Sequence, residues 1–213
     1  MKTDELIVML ATGVSAVDRN ETRRRFALAT GLGGLLALIL MLTTLGLRTD
    51  LAAALATPMF WAKLAFAVVP AVVGLIAVFR LGRPGARVGW AFIVLAVPVL
   101  AMWALGVAQL VAAPAENRAA LLFGRTWLLC PLLIGLLATP VFILVLSALK
   151  DLAPTRPTLT GAMAGIASGA VGATVYCLHC PEMAAPFVSV WYLLGMLIPA
   201  VVGAACGRRV LRW

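Results

Sequence analysis

The groups in this chain that could do chemistry are few and bunched. Cys177, His179, Cys180 and Glu182 share one stretch, Tyr176-Cys177-Leu178-His179-Cys180-Pro181-Glu182, a short polar break between two long apolar runs. Two thiols, an imidazole and a carboxylate this close could form a disulfide, react as thiolates with oxidants or soft metals, or ligate a metal. Cys130 is a third thiol that the topology below brings to the same side. Three arrangements stay open. One is a structural bridge from Cys130 to Cys180 or Cys177. The second is a redox- or metal-responsive set of the same thiols. The third is a standing metal site of Cys177, His179, Cys180 and Glu182, which lacks the second ligand cluster that closed sites usually have. No standing metal and no cofactor are expected; Cys130, Cys180 and His179 would serve a transient ion.

The elements that must position these groups are membrane helices. With 63% hydrophobic and 12% charged residues, the chain departs from soluble domains, which carry about 25% charged residues. A helix needs roughly 20 apolar residues to span a bilayer. Six runs of about that length occur, at about 26–46, 59–79, 89–112, 127–149, 160–178 and 187–207. The runs are continuous and not alternating, which predicts helices and no barrel strands. The fold class is therefore an all-α integral membrane protein of six transmembrane helices. The first run is too long, and too far from the start, for a cleaved signal segment.

Charge sets the orientation. Lys2, Arg19, Arg23, Arg24, Arg25, Arg80, Arg83, Arg87, Lys150, Arg156, Arg208, Arg209 and Arg212 fall on one side, and only Arg48, Lys63, Arg118 and Arg125 on the other. The positive-inside rule then predicts both termini in the cytoplasm and Cys130, Cys177 and Cys180 near the outer surface, open to reagents there. Cys206 falls on the opposite side, as a small apolar helix residue. The net charge of +9 is thus read as membrane anchoring, with the lipid bilayer as partner and no direct nucleic acid. Lys63, about one turn inside the second run, either snorkels to the interface or stands beside the thiols and favours thiolate. Gly161, Gly165, Gly169 and Gly172 put small residues at helical spacing on the fifth run, which predicts close approach of a neighbour and a central place in the bundle.

Residues 3–13 predict a short amphipathic helix, with Asp4 and Glu5 suited to its first turn and Leu6, Met9 and Leu10 on one face beside Ile7. Alone in water it is marginal, so it needs a surface: the membrane, the protein's own loops, or a groove on a soluble partner. Residues 14–25 read as a flexible tether ending in three arginines. The organisation expected is a cytoplasmic segment 1–25, a six-helix domain 26–208 and a tail 209–213.

The segments Lys2-Thr3-Asp4-Glu5-Leu6-Ile7, Ala56-Thr57-Pro58-Met59-Phe60-Trp61-Ala62-Lys63-Leu64, Arg125-Thr126-Trp127-Leu128-Leu129-Cys130-Pro131 and His179-Cys180-Pro181-Glu182 together resemble the NrsF family of bacterial inner-membrane proteins. The resemblance implies an anti-sigma factor and no enzyme. Such a protein holds an extracytoplasmic-function sigma factor at the membrane and releases it under heavy-metal or oxidative stress. It implies Cys130 and Cys180 as sensor thiols; Cys177 lies outside the family pattern and is a further candidate by its position alone, as are the supporting outer-face residues Lys63, His179 and Glu182. It also implies that the N-terminal segment with Asp4, Glu5, Leu6, Ile7, Met9 and Leu10 meets the sigma factor. The competing reading is a membrane thiol oxidoreductase coupled to quinone. Such enzymes relay between two outer cysteine pairs, and only three outer thiols are present here.

Overall fold

The computed structural model describes residues 3–12, 19–83, 85–150, 152 and 154–211. Lys2, the expected stop at Gly13, residues 14–18 and residues 212–213 lie outside the described residues, as does the side chain of Leu10. Among the described residues the chain is helical and without strands: α1 (Thr3–Ala11), α2 (Arg19–Thr44), α3 (Leu51–Leu55), α4 (Pro58–Leu81), α5 (Gly89–Ala112), α6 (Ala115–Phe123), α7 (Leu129–Lys150), α8 (Pro157–Tyr176), α9 (Ala185–Phe187) and α10 (Leu193–Val210). A wider π-helical turn, Val188–Tyr192, joins α9 to α10, so the three make one continuous rod.

Six of these helices are long and apolar enough to cross a membrane: α2, α4, α5, α7, α8 and the rod Ala185–Val210. Their bounds follow the apolar runs closely, because in each case the helix ends where charge or Pro and Gly break the run. One expectation is overturned at the start. Residues 19–25 are not tether but the first turns of α2, whose Arg25 pairs with Glu21 one turn earlier. Helical i,i+4 pairing of this kind lets a span extend into its polar flank. Two further helices, α3 and α6, lie in connections that the sequence reading left irregular. Pro114 and Glu116 open α6 in the way helix starts favour.

The glycine-lined helix α8 is central, as its spacing predicted, and packs against α10, α4, α7 and α2. Its contact with α10 is backbone on backbone: a Cβ on Gly161 would run into the Gly203 carbonyl, and one on Gly165 into the Pro199 carbonyl. On another face, a Cβ at Gly172 would lie 2.8 Å from the Ile134 carbonyl of α7. Two apolar clusters stack along the bundle. One gathers Phe66, Tyr176, Phe187 and Tyr192 with Cys130, Cys177 and Cys180; the other gathers Phe26, Val78, Val145 and Met163 near the opposite end.

This packing predicts that Gly165→Leu will wedge α8 from α10. Overpacking of this kind costs about 1–3 kcal/mol, read as a lower unfolding temperature of the full chain in detergent. Gly31→Leu is the control, because nothing lies within 4 Å of a Cβ there, and it will leave that temperature unchanged.

Candidate functional site

The site is a sulfur cluster roofed by a loop. Cys130 is the second residue of α7 and Cys177 directly follows α8. After Cys177 the chain turns back on itself, with the amides of His179 and Cys180 both donating to the Tyr176 carbonyl at 3.0 Å. That turn folds the Cys180 side chain inward instead of leaving it on the surface. All three thiols are free and fully buried, at 0% exposure. Continuous burial corrects the expectation of thiols open to reagents, and its physical cause is the roof.

Four side chains, of Arg48, Lys63, His179 and Glu182, and two backbone amides, of Arg48 and Arg125, hold the roof. Arg48 is clamped by Asp50 through Nε and Nη2, at 2.8 and 2.7 Å, and reaches the Cys180 carbonyl through Nη1 at 3.2 Å. Its own amide donates to the Leu178 carbonyl at 3.1 Å. Lys63 donates to the carbonyls of Cys180 at 3.1 Å and Glu182 at 2.9 Å, and its ammonium lies 4.8 Å from the centre of the Tyr192 ring. It is wholly buried, so it does not snorkel: the carbonyls of the turn solvate it more effectively than the interface could. His179 meets the Gly46 carbonyl through Nδ1 at 3.0 Å; since a carbonyl only accepts, Nδ1 carries the proton. The Glu182 carboxylate accepts from the Arg125 amide at 2.8 Å.

Tyr192 lies beneath. The π turn places this fully buried ring between Tyr176, at 5.8 Å between centroids, and Lys63. Its hydroxyl has no hydrogen-bond partner and faces the sulfurs of Cys177 and Cys180. The Cys180 thiol is held well below the ordinary thiol range. The Cys130 thiol, donating to it, is the main cause, and the Lys63 charge adds to it against the opposing effect of burial. Cys177 behaves oppositely, and burial pushes it up to about 11. One sulfur of the three is therefore set apart as the most readily ionised.

The profile of the NrsF family, described as "Negative regulator of sigma F", matches residues 10–213. The chain belongs to the NrsF family. It is 53% identical over 213 residues to the "Probable anti-sigma-F factor NrsF" of Azospira oryzae, covering 100% of both chains. It is 42% identical over 216 residues to the "Anti-sigma-F factor NrsF" of Caulobacter vibrioides, again covering 100% of both. No solved structure matches.

Within this NrsF-family chain the geometry sorts the candidates. Cys130, Cys177, Cys180 and Lys63 come together. His179 and Glu182 do not join the sulfurs but pin the two ends of the roof, so the four residues Cys177, His179, Cys180 and Glu182 do not converge. Among the described residues no three ligating side chains group to hold a metal ion. Asp4, Glu5, Leu6, Ile7 and Met9 are on α1, separate from the sulfur site. Arg48, Asp50, Tyr176 and Tyr192 were missed. The available signal was the charge pair Arg48 and Asp50 in an otherwise apolar connection, but nothing in its spacing points to residue 180.

Gly124 shows how finely the roof is seated. Its φ of +52° lies where side chains are strained, and a Cβ there would stand 2.7 Å from the Glu182 carboxylate carbon. Gly124→Val will unseat Glu182 at a strain of about 1–3 kcal/mol. Alkylation of Cys180 by iodoacetamide in the purified protein will then accelerate about 5- to 150-fold as the roof lifts more often.

Proposed function

We propose that this chain is an anti-sigma factor of the bacterial inner membrane. It holds an extracytoplasmic-function sigma factor on the cytoplasmic side through the α1 segment, and lets it go when the thiols on the other side are modified by oxidant or metal. The observation that carries the reading is the contrast between two ends of the protein. One end buries its reactive sulfurs under a pinned loop. At the other, α1 is free of extensive packing and presents Leu6 and Met9, one turn apart, with Ile7 beside them, at 40–66% exposure, an apolar face suited to a groove on a partner. The names carried by the two relatives supply the class of that partner.

In this reading the N-terminal segment is the sigma-binding part, the six-helix domain is the sensor and the residues after 208 are a tail. The connection between them runs through α7, which bears Cys130 and packs on α2. There a Cβ on Gly33 of α2 would lie 2.7 Å from the Val141 Cα of α7, leaving no slack. A shift at the head of α7 therefore displaces α2, the helix that leads from α1. Coupling of this kind is typically worth 1–3 kcal/mol, or about 5- to 150-fold in affinity.

The test is co-purification of the detergent-solubilised full chain with its partner, before and after oxidant. A sigma factor present before and lost after supports the reading; none in either sample rejects it. Sidedness needs a separate probe, because the native thiols are sealed. In a background of the native cysteines replaced by Ala, a cysteine at exposed Asn117 will react with impermeant maleimide in cells whose outer layer is permeabilised. One at exposed Arg83 will react only after lysis.

A further inference from the structure

The roof contains an unbalanced charge. Arg48 is neutralised by Asp50, and the Glu182 carboxylate is turned away to the Arg125 amide. Lys63 is fully buried and no carboxylate among the described residues lies within ion-pair distance of it. Two carbonyls solvate it and the Tyr192 ring faces it, but carbonyls and rings carry no net charge. An ammonium sealed in an apolar bundle is costly unless an anion accompanies it. The groups that face it are Cys130 from α7, Cys177 and Cys180 from the turn after α8, Tyr176 from α8, Tyr192 from the π turn and Arg48 from the connection before α3; His179 and Glu182 pin the roof's edges.

Of these facing groups, only Cys180 is itself bonded by Lys63. Its sulfur is buried in one cluster with Cys130, Tyr176 and Tyr192, while Lys63 donates to the carbonyl of the same residue. The Tyr192 hydroxyl, otherwise a buried donor without an acceptor, acquires one if that sulfur is ionised. We infer that Lys63 is the positioning residue of the sensor: it holds Cys180 as a buried thiolate and so makes Cys180, not Cys130 or Cys177, the sulfur that first takes an electrophile or a soft metal ion. Cys130, donating to that thiolate, is the neighbour placed to join it. This rests on the thiol-sensor reading above, but concerns which sulfur is ionised and why.

The experiment follows the thiolate itself by ultraviolet absorbance, in the purified full-length protein, as the difference between each protein and its Cys180→Ala counterpart across a pH series. The native protein will show a thiolate that is already ionised at neutral pH and is lost only on acidification. With Lys63→Met the midpoint will move up to or beyond the ordinary thiol value of about 8.5, and Lys63→Arg, which keeps the charge, will restore the acidic midpoint. At pH 7 the ionised fraction at residue 180 will fall about 30-fold in Lys63→Met, because a thiol of ordinary acidity is only about 3% ionised there. A helical circular-dichroism spectrum and an unchanged elution volume exclude misfolding. If Lys63→Met does not fold, the comparison of native protein with Cys180→Ala alone decides. A native midpoint at the ordinary value overturns the inference. So does a midpoint that Lys63→Met leaves in place. Since no sigma factor is present in the assay, failure here leaves the anti-sigma reading standing, and loss of sigma binding elsewhere leaves this result untouched.

Discussion

Ile7→Asp combined with Met9→Asp will leave the sigma factor unheld in unstressed cells. Both side chains are largely exposed on α1, so the substitutions disturb no core and the bundle will keep its unfolding temperature. What they remove is exposed apolar surface of α1 that the proposed reading offers to the partner. Loss of a central anchor in a helix-in-groove interface typically costs about 2–4 kcal/mol, and an added buried charge without a partner costs more. Affinity therefore falls at least about 30- to 900-fold. A reporter under the sigma factor's control will be on without any inducer, and the purified variant will no longer co-elute with sigma. A reporter that stays off in the double variant removes α1 from the mechanism. Asp4 and Glu5 on the first turn test its polar margin, with a smaller expected effect, since rim charges contribute mainly to the rate of encounter.

The opposite phenotype is expected from the other end of the molecule. Cys180→Ala and Cys130→Ala will hold the sigma factor normally but fail to release it. In the native protein, hydroperoxide or a soft metal will induce the reporter in the range set by the coupling, about 5- to 150-fold; each variant will be flat. Alanine is preferred to serine because both positions are fully buried, and a hydroxyl placed there without a partner destabilises by about 1–3 kcal/mol. Cys177→Ala will keep most of the response if Cys130 and Cys180 are the working pair. A normal response in Cys180→Ala removes sulfur from the sensing step altogether.

The spans were legible because they depend on one local property, a continuous apolar run closed by charge or by Pro and Gly. The central place of α8 was legible for a similar reason: Gly161, Gly165 and Gly169 repeat at a spacing that admits only close backbone contact. The chemistry of the site was half legible. Cys177 and Cys180 are three residues apart and Cys130 is near the same end, so their meeting follows from topology. Their burial does not. It depends on a turn whose anchors are Arg48 and Lys63, each more than a hundred residues from Cys180 in sequence, and no periodicity encodes a hydrogen bond to a carbonyl that far away. The same holds for Lys63. Its position inside a run left snorkelling and a place beside the thiols both open, and only the fold shows that the loop comes to the lysine. The start of α2 was misread because Arg23, Arg24 and Arg25 look like solvated tether, whereas helical propensity and pairing with Glu21 carry the helix through them.

The pinned turn over the sulfurs has a kinetic corollary. A reagent cannot reach them until the cover lifts, so the response will be gated by an internal event of the protein. At high dose the rate of modification will level off at a ceiling common to chemically different reagents, and below that dose it will rank them by intrinsic reactivity. In the proposed reading, brief pulses of oxidant shorter than the mean waiting time between openings will go largely unanswered, so that the cover filters noise as well as admitting the signal.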